Sequence, residues 1–202
     1  MPRPAARRLA LLAGVAGPTA FVAAWVVAGQ RTPGYSPVGQ AISQLAREAA
    51  PTAPLMTAGF VAFGVLVPVY AVALARSLSP GTAAAATVSG LATLAVAALP
   101  LSRETGQPVD TAHALAAATG YAGQVLAPLL GARALGGRAR AASYAVSAAA
   151  AGCLVASVLL PDATGLLQRS GLTVVDVWFV AVAVALLRAS AGGRDEGELR
   201  RS

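Results

Sequence analysis

Residues 55–75 read LMTAGFVAFGVLVPVYAVALA, from Leu55 to Ala75, without a single charged side chain. A bilayer core of roughly 30 Å is crossed by about 20 mostly apolar residues in a helix, and this stretch has that length. It reads as a membrane span, so the fold is decided by how many similar stretches flank it. There are five, at Leu9–Gly29, Thr82–Leu101, Thr111–Ala132, Ala141–Leu160 and Leu172–Leu187. The third and fifth spans are Ala-rich. The expected fold class is all-α: an integral membrane bundle of six transmembrane helices.

Composition agrees with that reading. The 202 residues are 56% apolar and 11% charged, with a mean hydropathy of +0.67. A soluble domain is about 45–50% apolar and about 25% charged, so this chain has too little charge to cover a water-facing surface. That excludes a cytosolic globular enzyme, a disordered tail and a disulfide-stapled secreted domain. Net charge is +7, every basic residue is Arg, and there are 51 alanines. Such usage looks like the codon bias of a GC-rich bacterial genome.

The arginines set the expected orientation, because cytoplasmic loops are enriched in basic residues. With the N-terminus inside, the inner side collects Arg3, Arg7, Arg8, Arg76, Arg133, Arg138, Arg140, Arg188, Arg194, Arg200 and Arg201. The outer side holds Arg31, Arg47, Arg103 and Arg169, offset by Glu48, Glu104, Asp110 and Asp162. Both termini are therefore expected in the cytoplasm of a bacterial plasma (inner) membrane protein. The basic balance is accounted for at membrane edges, and no nucleic-acid partner is expected.

The chain divides into a cytoplasmic N-terminal segment at 1–8, a six-helix transmembrane domain at 9–188 and a cytoplasmic polar tail at 189–202. The first apolar run is about 20 residues, longer than the 7–15 of a signal peptide core, and reads as a retained span. Cys153, the only cysteine, lies mid-span and reads as a buried side chain. Pro18, Pro68 and Pro128 fall inside spans, where proline is ordinary in membrane helices.

Polar chemistry collects in three outer segments. In the first, Gln30–Pro54, Ser36-Pro37 places a favoured N-cap before a proline. At helical spacing Val38, Ala41, Ile42, Leu45 and Ala49 share one face, and Gln40, Ser43, Gln44 and Arg47 the other. This predicts a short amphipathic helix between the first and second spans, lying on the outer surface or capping the bundle. The second segment, Leu101–His113, carries Asp110 three residues before His113, the only histidine. Their shared face continues through Ala117 and Tyr121 to Gln124, about 16 Å deeper. The third, Asp162–Asp176, aligns Arg169, Thr173 and Asp176, and ionisable groups inside a membrane suggest function or an ion pair.

Convergence of these groups at the outer mouth would make a site. His113 is the candidate general acid/base, Asp110 its orienting carboxylate and Ser43 a candidate nucleophile. Arg169 is a candidate clamp for an anionic head group, with Gln168, Asp176, Gln124 and Gln40 as further binding groups. One histidine and one deep cysteine fall short of a zinc ligand set, and no phosphate loop or nucleophile elbow is present. Neither a metal nor a cofactor is expected.

The order of these motifs resembles the bacterial multi-pass membrane family catalogued as domain of unknown function 998. The likeness rests on Gly17-Pro18, on Pro33-Gly34-Tyr35-Ser36-Pro37-Val38-Gly39-Gln40-Ala41-Ile42-Ser43-Gln44-Leu45, on the Asp110 and His113 pair, on Gly165-Leu166-Leu167-Gln168-Arg169 and on Trp178. It also includes Leu55–Phe60, where Thr57 stands at a position that is commonly Asn in the family. Another departure is Leu101-Ser102-Arg103 after Pro100, where the family often has Cys or Asp. The resemblance covers about residues 9–188. It implies a small multi-pass membrane protein and leaves the activity open.

Three functional classes follow. One is a protein acting on or binding a lipid head group at an outward-facing polar pocket, with membrane lipids as partners. The second is a non-catalytic sensor or assembly partner, packing through small residues as a homo-oligomer or with another membrane protein. A small-solute transporter ranks below both, because the inner halves of the spans offer little polarity beyond Gln124.

Overall fold

The computed structural model describes the backbone of residues 4–199 and the side chains of residues 5–190. It contains six long helices: α1 (Pro4–Arg31), α2 (Ala53–Ser77), α3 (Pro80–Ala98), α4 (Pro108–Gly131), α5 (Gly137–Leu159) and α6 (Thr164–Leu199). No strand is present among the described residues. Each helix is long and apolar enough to cross a membrane, and the chain is a multi-pass membrane protein. Leu9, Val61, Val65, Val88, Leu91, Leu115 and Val155 are exposed large apolar side chains, as lipid-facing positions should be.

Consecutive helices run antiparallel and pack in order, and α6 returns to close the ring against α1. The connections are built from local signals. Ser79 caps α3, its hydroxyl accepting the Thr82 N–H at 3.0 Å, and Pro80 follows at the first helical position. Between packed helices, glycines replace side chains that would collide. A Cβ on Gly123 would stand 2.7 Å from the Ala85 carbonyl oxygen of α3, and one on Gly14 would stand 2.6 Å from the Tyr70 ring of α2. Such close approach is how helices associate where lipid offers no hydrophobic contrast. Tyr70 is fully buried, and its hydroxyl donates to the Phe179 carbonyl at 3.2 Å, tying α2 to α6. The Trp178 indole N–H donates to Ser143 Oγ at 2.8 Å, tying α6 to α5.

The antiparallel order gathers Arg7, Arg8, Arg76, Arg133, Arg138, Arg140 and Arg188 at one end of the bundle. Arg31, Arg47, Arg103 and Arg169 lie at the opposite, Arg-poor end. Arg3, Arg200 and Arg201 lie outside the described residues, as do the side chain of Arg194 and most of the expected polar tail's side chains.

Several helix boundaries differ from the sequence expectation, and α1 already begins at Pro4, inside the expected N-terminal segment. The sixth helix begins at Thr164, eight residues before Leu172, so Gln168 and Arg169 are helical. Hydropathy misses this because those polar side chains find partners inside the protein. The third ends at Ala98, with Leu99–Leu101 outside the helix and the Leu101 carbonyl accepting the Glu48 N–H at 2.9 Å.

The short helix between the first two spans is present as a five-residue 3-10 helix at Ile42–Ala46, and it caps the bundle with Ile42, Leu45 and Ala46 buried. Helix formation does not run continuously from Ser36. Residues 36–40 close a single turn, Gln40 N–H to the Ser36 carbonyl at 2.8 Å, and Ala41 is then extended. Val38 and Ala49, expected on the apolar face, are exposed. The carbonyls of Pro37 and Gln40, which a continuing helix would use, are taken by Arg169.

Candidate functional site

At the Arg-poor end the six helices enclose a cavity of about 340 Å³, within the range of about 300–1,000 Å³ typical of small-ligand sites. Polar side chains on its lining come from segments far apart in sequence, among them Ser43 in the 3-10 helix, His113, Tyr121 and Gln124 on α4, and Gln168 on α6. Phe21, Phe60 and Phe63 line it from α1 and α2. These rings pack together, with Phe21 5.8 Å from Phe60 and 5.6 Å from Phe63 between centroids.

His113 is 4% exposed, and its Nδ1 lies 2.6 Å from the Leu99 carbonyl oxygen. A carbonyl only accepts, so Nδ1 carries a proton, and in the neutral ring Nε2 is the acceptor. Nε2 is buried without a partner, as is the Oε1 of Gln124, itself 5% exposed. Continuing the α4 face from His113 brings Gln124 to the same cavity, as the helical spacing predicted.

Gln168 is a strut. Its Oε1 accepts the Ile42 N–H at 2.7 Å, and its Nε2 donates to the Tyr121 hydroxyl. One side chain thus positions the 3-10 helix over α4 and leaves the Tyr121 proton available to the cavity.

Asp110 lines the cavity but does not orient His113. Its carboxylate accepts from the Ser102 N–H and hydroxyl at 2.9 and 2.8 Å, and from Gly106 and Gln107 N–H at 2.9 and 3.2 Å. The loop 102–107 supplies donors at the first turn of α4, where a carboxylate is favoured. The Leu99 carbonyl takes the place on Nδ1 that Asp110 was expected to hold.

Arg169 stands apart from His113, in a second cleft of about 320 Å³ with Trp25, Gln30 and Tyr35. Its Nη1 donates to the carbonyls of Pro37, Gln40 and Gly165 at 2.8, 3.0 and 2.8 Å, and Nη2 donates to the Tyr35 hydroxyl. The guanidinium lies 5.4 Å from the Trp25 ring centroid and 5.3 Å from that of Tyr35, within the roughly 6 Å of a cation–π contact. This Arg anchors the first loop to α6. Gln40 serves the same loop, its Oε1 accepting the Ser36 N–H at 2.8 Å. Asp176 is 2% exposed with neither oxygen hydrogen-bonded, and it does not line the large cavity.

The two distinctive sequence stretches therefore hold each other. Gly165 lies against the Pro37 and Gln40 carbonyls, the Leu166 N–H donates to the Val38 carbonyl at 2.9 Å, and Gln168 and Arg169 bind the same loop. Sequence reasoning missed the stacking role of Trp25 and Tyr35 and the aromatic wall of Phe21, Phe60 and Phe63. Inside apolar spans, aromatics carry no local mark of which ones meet a cavity.

Among the described residues no group of three or more His, Cys, Asp or Glu is placed to hold a metal ion. No curated protein and no solved structure matches the chain. A family model described as Protein of unknown function (DUF998) matches residues 15–185. That match spans most of the chain, which is a member of this family.

Proposed function

We propose that this protein resides in a bacterial plasma membrane, with both termini cytoplasmic, and binds the polar end of a membrane lipid in the cavity at its outer face. The Arg distribution between the two ends supports the orientation. One observation carries the binding reading. Ser43, His113, Gln124 and Gln168 come from three separate segments to one cavity, where His113 and Gln124 present buried acceptors with no protein partner. Unsatisfied polar groups are costly at membrane depth, and a ligand that donates hydrogen bonds would satisfy them. The aromatic side of the cavity suits the ligand's hydrocarbon.

The test is native mass spectrometry of the protein released from membrane nanodiscs. A retained lipid adduct that is lost on Gln124→Leu supports the reading. Adduct-free protein under conditions that preserve lipids on a control membrane protein refutes it.

A catalytic reading is favoured by one further feature, the free lone pair of His113 beside a cavity that also exposes Ser43. There His113 acts as general base on a bound hydroxyl. Turnover of a bound lipid that stops with His113→Ala while binding persists would establish it, and intact lipid after prolonged incubation would refute it.

A further inference from the structure

The cavity's hydrogen-bonding sense narrows what it takes. His113 Nδ1–H is committed to the Leu99 carbonyl, which leaves Nε2 of the neutral ring as an acceptor facing the cavity. Oε1 of Gln124 is likewise an unpartnered acceptor. Among the described residues, the one formally charged side chain on the lining is Asp110, which repels phosphate. Arg169, the cation suited to an anionic head group, lines a different cleft and spends its guanidinium on three backbone carbonyls.

The way in is also visible. Ala114 and Ala118 of α4 and Val158 of α5 line the cavity and are themselves exposed, Val158 by 77%. Nearer the Arg-rich end, the Ser147 hydroxyl donates to the Val125 carbonyl at 2.8 Å and pins α5 to α4. The seam between these helices is closed at that level and open above it, towards the lipid.

We infer that the cavity takes an uncharged lipid alcohol, which enters sideways from the bilayer between α4 and α5 and donates its hydroxyl to Nε2 of His113. This rests on the lipid-binding reading above and names its ligand class. The alcohol sits near the end of the bundle, at the depth of the second turn of α4. Its hydrocarbon lies deeper, against the phenylalanines of α1 and α2. A phosphate in the same place would meet Asp110 and two acceptors, with neutral hydroxyls such as those of Ser43 and Tyr121 as donors and no cation.

The experiment uses the full chain in phosphatidylcholine nanodiscs with a photoactivatable diacylglycerol. Unlabelled diacylglycerol, a long-chain prenol and phosphatidate of matched acyl chains serve as competitors. Labelling should saturate and map to residues 114–121 or 154–158. An uncharged alcohol should compete at concentrations at least about tenfold below phosphatidate, because like charge on a binding surface costs more than one decade in affinity. Whichever alcohol competes better identifies the source.

His113→Leu should weaken labelling about three- to tenfold, the worth of one neutral hydrogen bond. Ala118→Trp, at an exposed position on the rim, should block labelling without loss of folding. Phosphatidate competing as well as the alcohols would overturn the ligand class while lipid binding stands. Undiminished labelling of both variants would overturn the His113 contact and the lateral route. The absence of saturable labelling by any probe would sink the underlying binding reading.

Discussion

Gly165→Ala tests how the first loop is held over the bundle. Gly165 is the second residue of α6, and a Cβ there would stand 2.7 Å from the Pro37 carbonyl oxygen and 2.8 Å from Arg169 Nη1. It would press still harder on the Gln40 carbonyl. Both carbonyls accept from that same guanidinium, so neither can retreat without losing a bond. Overpacking costs about 1–3 kcal/mol, and a lost hydrogen bond to a charged group about 1.5–3 kcal/mol. Because neighbouring effects are not additive, the combined loss is taken as about 3 kcal/mol. For a chain of this size that lowers Tm by roughly 6–12 °C.

Cys153, the sole cysteine, is half-buried in α5 and faces Gly171, so a thiol-reactive dye reports unfolding on heating. Gly152→Ala is the control, since a Cβ there meets nothing within 4 Å. It should melt no lower than the parent, since Ala gains up to about 1 kcal/mol over Gly in a helix interior. A Gly165→Ala protein that melts with the parent would refute the proposed loop anchor.

Other substitutions probe separate contacts. Arg169→Lys keeps the charge but loses the planar fork that reaches three carbonyls between two rings. It should lower Tm and shift the Trp25 contribution to fluorescence, and an unchanged spectrum would count against the stack. Asp110→Asn should speed amide exchange across residues 102–107 about fivefold or more, as one or more loop bonds weaken. Equal exchange would mean the carboxylate is not what holds that loop. Tyr70→Phe removes one buried hydroxyl bond to Phe179 and should cost about 1 kcal/mol. A loss several times larger would assign Tyr70 a further partner.

The membrane architecture was legible because its signal is local: a 20-residue apolar run declares itself, and six of them read as six membrane-spanning helices. The depth of Gln124 below His113 was equally legible from helical spacing. What spacing along one helix cannot supply is the azimuth of one helix against another. His113 and Arg169 both belong at the same end of the bundle, yet α4 faces the cavity while Arg169 turns towards α1 and the first loop. The extra turns at the start of α6 were hidden for a related reason. Gln168 and Arg169 look like loop residues until their partners, more than 120 positions away, are brought beside them. Asp110 preceding His113 on one face suggested a dyad, but the adjacent loop offered nearer donors.

One reporter tests whether the cavity binds lipid and whether it is reached from the outer side of the membrane. Ser43→Cys in a Cys153→Ala background places a single thiol on the cavity lining. Its rate of modification by a small membrane-impermeant reagent is then measured in oriented vesicles, with and without added diacylglycerol. Reaction is expected from the outer face only, slowed about tenfold when lipid is present at ten times its Kd. Reaction from the inner face alone, or a rate indifferent to every lipid alcohol tried, would contradict the proposed outward-facing lipid site.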